Sequence, residues 1–290
     1  AAACEAENPP TTSPTIVATS IPSFFGGEID PTNENLKCLK TSALLVAAVQ
    51  NEISEHEAEV VFHLCPNTVY KITNPFVIDR GNARFQCGTN GLLEDNCTIS
   101  GNNGHFRILD KAIELSLQGL TMTNAGFVSI QALASSNTRL TVERCLFERN
   151  WGSAAVLIYN QDAGEAYTDQ SDLGTLSLPT SESMVVAFDS CQFVDNEATT
   201  AVVFNVGGSS QFIRTTFVGS TGLQAAVIIG RFGASIIIST SCFVENDSSF
   251  PGSIFLASGA KLKLNQDNFG MTNIAGSNCS DIFSETSGSC

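Results

Sequence analysis

A six-residue pattern recurs through the second half of the chain. Cys145-Leu146-Phe147-Glu148-Arg149-Asn150 returns as Cys191-Gln192-Phe193-Val194-Asp195-Asn196. It returns in weaker form as Thr215-Thr216-Phe217-Val218-Gly219-Ser220, as Ser241-Cys242-Phe243-Val244-Glu245-Asn246, and last as Asp267-Asn268-Phe269-Gly270-Met271-Thr272. The Phe positions lie 46, 24, 26 and 26 residues apart, and an alternating apolar run precedes each one, at 140–142, 184–188, 211–213, 235–238 and 262–264. A fixed period of about 25 residues with one strand pattern per period is the mark of a solenoid, because each unit buries its apolar face only by stacking on the next.

The units are strands, not helices. Helical repeats place apolar residues at i, i+3, i+4 and i+7. Here the period is two, as in Ile236 and Ile238 against Ser235, Ile237 and Ser239. A second run follows each Phe, at 154–159, 201–204, 225–229 and 253–256, with Gly, Ser and Asn in the corners between. Two or three short strands per turn account for the period, and successive turns then stack about 4.8 Å apart. Equivalent positions lie above one another, so Phe147, Phe193, Phe217, Phe243 and Phe269 predict an internal aromatic ladder that Met122 continues. Asn150, Asn196 and Asn246 predict an amide ladder at a corner, where each side chain bonds up and down the stack.

The Phe-x-x-Asn signature, followed by small residues and an apolar run, is similar to the repeats of chlamydial polymorphic outer-membrane passenger domains. The stretch Leu64-Cys65-Pro66-Asn67-Thr68-Val69-Tyr70, with Cys87-Gly88 and Cys97-Thr98-Ile99-Ser100-Gly101, resembles secreted β-helix proteins of diatoms and related algae. Over residues 59–275 the chain resembles the pectin-lyase-like superfamily. That resemblance implies an all-β fold, a single-stranded right-handed parallel β-helix. It implies no one activity, since that superfamily hosts lyases, hydrolases, adhesins and inert stalks.

The expected organisation is an extended N-terminal arm over 1–37, a capping helix within 38–58, the β-helix over 59–275 with a loop insertion at 161–183, and a C-terminal cap over 276–290. The arm is rich in Pro, Thr and Asn. The helix reads over 39–55, with Leu39, Ala43, Leu45, Ala48, Val49 and Ile53 near one face, and it covers the apolar end of the first turn. The insertion follows from the long gap after Phe147, and it is polar, with Asp162, Glu165, Tyr167, Asp169 and Asp172. These carboxylates lack the Gly-bearing spacing of an EF-hand. The uninterrupted period argues for one elongated domain.

The formal charge of −15 argues against nucleic acid and against anionic membrane surfaces, both of which need clustered Lys and Arg. No apolar run approaches the 18 residues of a membrane-spanning helix. The start Ala1-Ala2-Ala3-Cys4 reads as a mature end left by cleavage of a leader. Ten cysteines without a Cys-x-x-Cys pair read as disulfides of an oxidising compartment. The expected bridges are Cys4 to Cys38 and Cys279 to Cys290, with a further one among Cys65, Cys87 and Cys97. Cys145 and Cys191 share a rung position and either bridge or pack as free thiols, the latter being favoured. Sequons at Asn96, Asn246 and Asn278 agree with a secreted or cell-surface protein.

Catalytic chemistry has little support in the residues. His63 reads as a core histidine in an apolar strand, and His56 and His105 as surface groups. No Gly-x-Ser-x-Gly elbow is present. The paired-carboxylate signatures of inverting β-helix glycosidases are missing as well. No catalytic, cofactor or metal residue is assigned, and no cofactor is expected. The second run of each unit is apolar on both faces, so Tyr159, Phe204, Ile229 and Phe255 predict an outward strip that another molecule or another part of the chain must cover. The leading expectation is therefore a non-catalytic extracellular protein that binds polysaccharide, or other copies of itself, through its long side. The competing one is a lyase or glycoside hydrolase acting on an acidic cell-wall or matrix polysaccharide.

Overall fold

The computed structural model describes residues 38–52, 59–109, 113–134, 138–160, 184–223, 227–248, 252–257, 259–265, 268–271 and 273. The N-terminal arm, His56, the 161–183 insertion, the C-terminal cap, Cys4, Cys279, Cys290 and Asn278 lie outside these residues.

The described chain coils into seven complete turns and the first two strands of an eighth. Each turn contributes one strand to each of three long sheets. The first sheet has eight strands, from Val60–Leu64 to Lys261–Leu264. The second has eight, from Val69–Lys71 to Phe269–Met271, and the third has seven, from Phe76–Ile78 to Ile254–Leu256. A fourth, four-stranded sheet of two-residue strands lines the corner between the second and third. Neighbouring strands pair in parallel throughout, as between Leu140 and Val186 or Val203 and Ile228. The expected β-solenoid is therefore present.

Alternation sends one column of each sheet inward. In the second sheet that column is Tyr70, Ile99, Met122, Phe147, Phe193, Phe217 and Phe243. Rings stack at 4.5 Å from Phe147 to Phe193, 4.8 Å from Phe193 to Phe217 and 4.9 Å from Phe217 to Phe243. A parallel stack in the first sheet, Phe188 on Phe212 at 5.0 Å, meets this ladder edge-on. Such pairs contribute about 0.5–1.5 kcal/mol each beyond the area they bury.

Phe269 does not join the ladder. Phe243 pairs with Gly270, and Phe269 stands opposite Cys242. The last repeat is therefore offset by one residue from its sequence alignment, and a shift of one moves every side chain to the other face. Two asparagines set this register. Asn268 Oδ1 accepts from the backbone N–H of Ser241 at 3.0 Å, and Asn273 Oδ1 accepts from that of Asn246 at 3.1 Å.

The amide ladder thus runs through Asn150, Asn196, Asn246 and Asn273. In each, Oδ1 accepts a backbone N–H from the turn before, as from Asn150 to Asn196 at 3.1 Å. Each Nδ2 donates to the carbonyl at the aromatic position of the turn before, as from Asn196 to Phe147 at 2.9 Å. A second ladder lies at the corner between the first and second sheets. Its members are Cys145, Cys191, Thr215 and Ser241, and each side chain donates to backbone carbonyls of its own and the preceding turn. The two cysteines are free and buried, and they act here as weak hydroxyl analogues. Burial drives the Cys145 thiol up to about 12 and raises Cys191 as well, so neither ionises under physiological conditions.

The corners carry left-handed residues that are not glycine. Arg144, Ser190, Arg214 and Thr240 form one such column, with φ between 50° and 56°. This conformation costs of order 1–2 kcal/mol per residue. Inter-turn bonds such as Arg144 N–H to Asp189 O at 2.9 Å offset the strain.

At the N-terminal end the helix spans Ser42–Glu52 among the described residues, so it starts three residues later than the expected 39. Leu45 and Val49 enter the core, whereas Ala43 stays exposed. Leu39 belongs instead to a parallel bridge with Leu64 that extends the first sheet by one residue. The Tyr70 hydroxyl donates to Leu39 O at 2.5 Å and accepts from the Cys65 N–H at 2.8 Å.

Disulfides join Cys38 to Cys65 and Cys87 to Cys97. Cys38 therefore pairs with the first turn and not with Cys4, because the Leu39 bridge holds its Cα 4.9 Å from that of Cys65. Cys242, not among the cysteines expected to bridge, is also disulfide-bonded.

Candidate functional site

Two outward surfaces bear on function. The first is the expected strip on the third sheet. Its register aligns Leu157, Phe204, Ile229 and Phe255 in one column, with Tyr159 two residues along beside Val206 and Arg231. Tyr159 is thus not in line with the other three. Ile229 is fully buried, Phe204 and Phe255 are half-buried against it, and the Arg231 guanidinium lies 5.6 Å and 6.0 Å from the two ring centroids. The strip is apolar but largely covered.

The first sheet mixes polar and apolar side chains outside. Arg84 makes a two-pronged contact with Glu59, and Arg214 reaches over a corner to Asp189 at 2.5 Å. The ion pairs resolved among the described residues are at least part-exposed, and solvent screening leaves such pairs little effect on stability. A cavity of about 470 Å³ lies between the capping helix and the first turn, lined by Val46, Val49, Ile72, Phe76 and Val77 together with the Asp79–Arg80 ion pair.

Both described histidines differ from expectation. His63 points outward and is half-buried, its Nδ1 3.3 Å from Gly88 O. His105 is fully buried, not a surface group, because its corner turns it beneath Ser129 and Thr123. Its Nδ1 lies 2.7 Å from Ser129 Oγ and its Nε2 3.1 Å from Thr123 O. Burial lowers its pKa to about 4, so it is a neutral structural group at physiological pH.

Asn246 lies at the centre of the amide ladder. It is wholly buried, and its Nδ2 is bonded to Phe217 O and Asn273 Oδ1. A glycan there is incompatible with the folded chain. Asn96 is exposed at a left-handed corner.

The second surface is the corner between the second and third sheets. The chain's one tryptophan stands there, and no sequence pattern singled it out. Trp151 opens the short strand Trp151–Gly152, and its N–H donates to Ala125 O at 2.8 Å. Its indole lies across Gly126, with Cζ2 and Cη2 3.1 Å from where a side chain on Gly126 would begin. A side chain on Gly126 would meet Asn102 O first, at 2.8 Å, and would also press on the ring. Trp151 remains 54% exposed, and the neighbouring Phe127 is 53% exposed. Below Trp151 the register continues with Glu197, Thr221 and Asp247, all exposed. The adjacent left-handed column carries Arg149, Asp195 and Glu245, also exposed. Arg149 is held by Glu148 at 2.5 Å.

No family model matches this chain, and neither does any curated protein or any solved structure.

The corner can offer a ligand a flat aromatic surface flanked by hydrogen-bonding groups. It was hidden in the sequence because Trp151 replaces a polar residue of the repeat and is followed by Gly152, which resembles turn filler. The available signal was a lone Trp one residue after the ladder asparagine, a position that points outward in every other turn.

Proposed function

We propose that the chain is a non-catalytic extracellular or cell-surface β-solenoid that binds polysaccharide along its long side, at the corner bearing Phe127 and Trp151. The placement of Trp151 carries this reading. A sugar ring presents an apolar C–H face that stacks on an aromatic plane, while its hydroxyls hydrogen-bond to groups at the edge. An indole seated on a glycine, more than half exposed and backed by a rigid stack of turns, is preorganised for that contact. The disulfides at Cys38–Cys65 and Cys87–Cys97 fit an oxidising compartment.

Because Trp151 is the sole tryptophan, intrinsic fluorescence reports on the site directly. Titration with a panel of soluble polysaccharides should shift its emission for at least one of them. Trp151→Ala should weaken retention on the same polymer at least tenfold without lowering the melting temperature. Silence across the panel would remove the reading. Release of reducing or unsaturated ends would replace it with the enzymatic one.

Lateral assembly is a second reading, supported by the Phe204, Ile229 and Phe255 column. Arg231 already spans the two rings, so this surface needs a partner less than the Trp151 corner does.

A further inference from the structure

We infer that the Trp151 corner takes an amine-bearing glycan, a chain of sugars with free ammonium groups, in preference to a neutral or acidic one. This rests on the glycan-binding reading and specifies its ligand. Four carboxylates follow Trp151 along the corner in two adjacent columns, Glu197 with Asp247 and Asp195 with Glu245, and all four are exposed. Among the described residues, none of them is in a salt bridge. The cation of the corner, Arg149, is paired with Glu148 and also feels the charge of Asp195, which leaves the corner net negative. The aromatic plane attracts an ammonium group through its negative face, most strongly for Trp. Both features of the corner thus favour positive charge, and the net charge of −15 repels anionic polymers at longer range.

The arrangement suits a straight polymer and not a bound ion or an extended peptide. The carboxylates come in two pairs, Asp195 with Glu197 and Glu245 with Asp247, and the pairs stand two turns apart, about 9.6 Å at the interstrand spacing. No metal-binding group of three or more His, Cys, Asp or Glu exists among the described residues. A peptide docking as a strand needs free backbone donors and acceptors. Along this corner the backbone N–H groups of Trp151, Glu197, Thr221 and Asp247 are already bonded to the turn before, at 2.8–2.9 Å. What remains is a line of outward side chains, one aromatic and four anionic, with the turn of Thr221 between the two carboxylate pairs.

The test uses the full chain and three probes: a β-1,4-linked glucosamine hexamer, its N-acetylated counterpart, and an oligolysine of equal charge. Binding is read by Trp151 fluorescence and by calorimetry at two salt concentrations. The glucosamine hexamer should bind at least tenfold more tightly than the acetylated one, and added salt should erase that difference. The quadruple variant Asp195→Asn, Glu197→Gln, Glu245→Gln, Asp247→Asn should lose most of the preference for the glucosamine hexamer and keep its affinity for the acetylated one, with an unchanged melting temperature. Trp151→Ala, followed by calorimetry, should lose both. Equal affinity of the unmodified chain for the two hexamers overturns the preference and leaves glycan binding standing. Failure to bind either hexamer, or any polymer of the wider panel, overturns both readings. Oligolysine binding as tight as the glucosamine hexamer and indifferent to Trp151→Ala overturns the inference in favour of a general polycation surface.

Discussion

Phe193 sits between two stacked neighbours, 4.5 Å from Phe147 and 4.8 Å from Phe217, and touches Phe188 edge-on. Every side of the ring is occupied, so its removal leaves a cavity that the stiff stack cannot close. Phe193→Ala should cost about 3–5 kcal/mol, read from denaturant unfolding. His105 makes a different contribution. Its neutral ring bridges Ser129 and Thr123, and its folded pKa of about 4 lies below the ordinary 6.5. The unfolded chain therefore takes up the proton first as the medium is acidified. Stability from His105 is complete above pH 6.5 and is lost as the pH falls toward about 4, by roughly 3 kcal/mol in all. Loss of negative charge from the carboxylates acts in the opposite direction over the same range, so a paired measurement is needed. His105→Gln should flatten the fall in stability between pH 6.5 and 4 relative to the unmodified protein. Parallel curves for the two would show that His105 does not titrate on unfolding.

Among elements, the N-terminal cap is the one that does not repeat. Helix Ser42–Glu52 places Leu45 and Val49 against the first turn, and the Leu39 bridge continues the first sheet by a single residue. The Cys38–Cys65 disulfide closes a loop with a sequence separation of 27 and holds both devices to the coil. Its loss should cost about 3–4 kcal/mol on the chain-entropy account. Since a solenoid's turns interact only with their neighbours, the effect should be local. In a Cys38→Ser, Cys65→Ser variant, amide exchange should accelerate first in the strands Val60–Leu64 and Val69–Lys71. The strands Val185–Asp189 and Gln192–Val194 should keep their protection. Uniform acceleration along the chain would mean that the coil unfolds as one unit.

The whole molecule presents three long faces and an acidic balance. Peptide mass spectrometry of the natural protein should find glycan on Asn96 and a bare Asn246, because only the former is exposed in the fold. Glycan on Asn246 would be incompatible with the amide ladder. The third face allows a further test. Phe204 is half-buried, with Ile229 behind it and Arg231 across it. If the face is covered within the molecule, Phe204→Asp gives a monomer less stable by about 1–3 kcal/mol. If it is an interface, the variant is folded and no longer associates, which light scattering at rising concentration decides.

The repeat in the sequence was enough to determine the solenoid, its period, the aromatic ladder through Phe243 and the pairing of Asn with buried backbone. Each of these follows from local alternation multiplied by stacking, and a pattern that repeats is written out several times in one dimension. What tertiary structure alone decided were the features that occur once or depend on a neighbouring turn. Phe269 reads as a ladder residue by alignment, yet Asn268 and Asn273 move the last strand by one, and only the hydrogen bonds to Ser241 and Asn246 reveal it. Arg144 and Arg214 at φ near 50° carry no sequence signal, since the turn beside them stabilises that conformation. Cys38 finds Cys65 through a bridge of one residue. The Trp151 platform exists because Gly126, 25 positions earlier in the chain, lies one turn away and leaves room for the ring. A sequence states which residues alternate, but contact across turns depends on register, and register is decided by hydrogen bonds between residues some 25 positions apart.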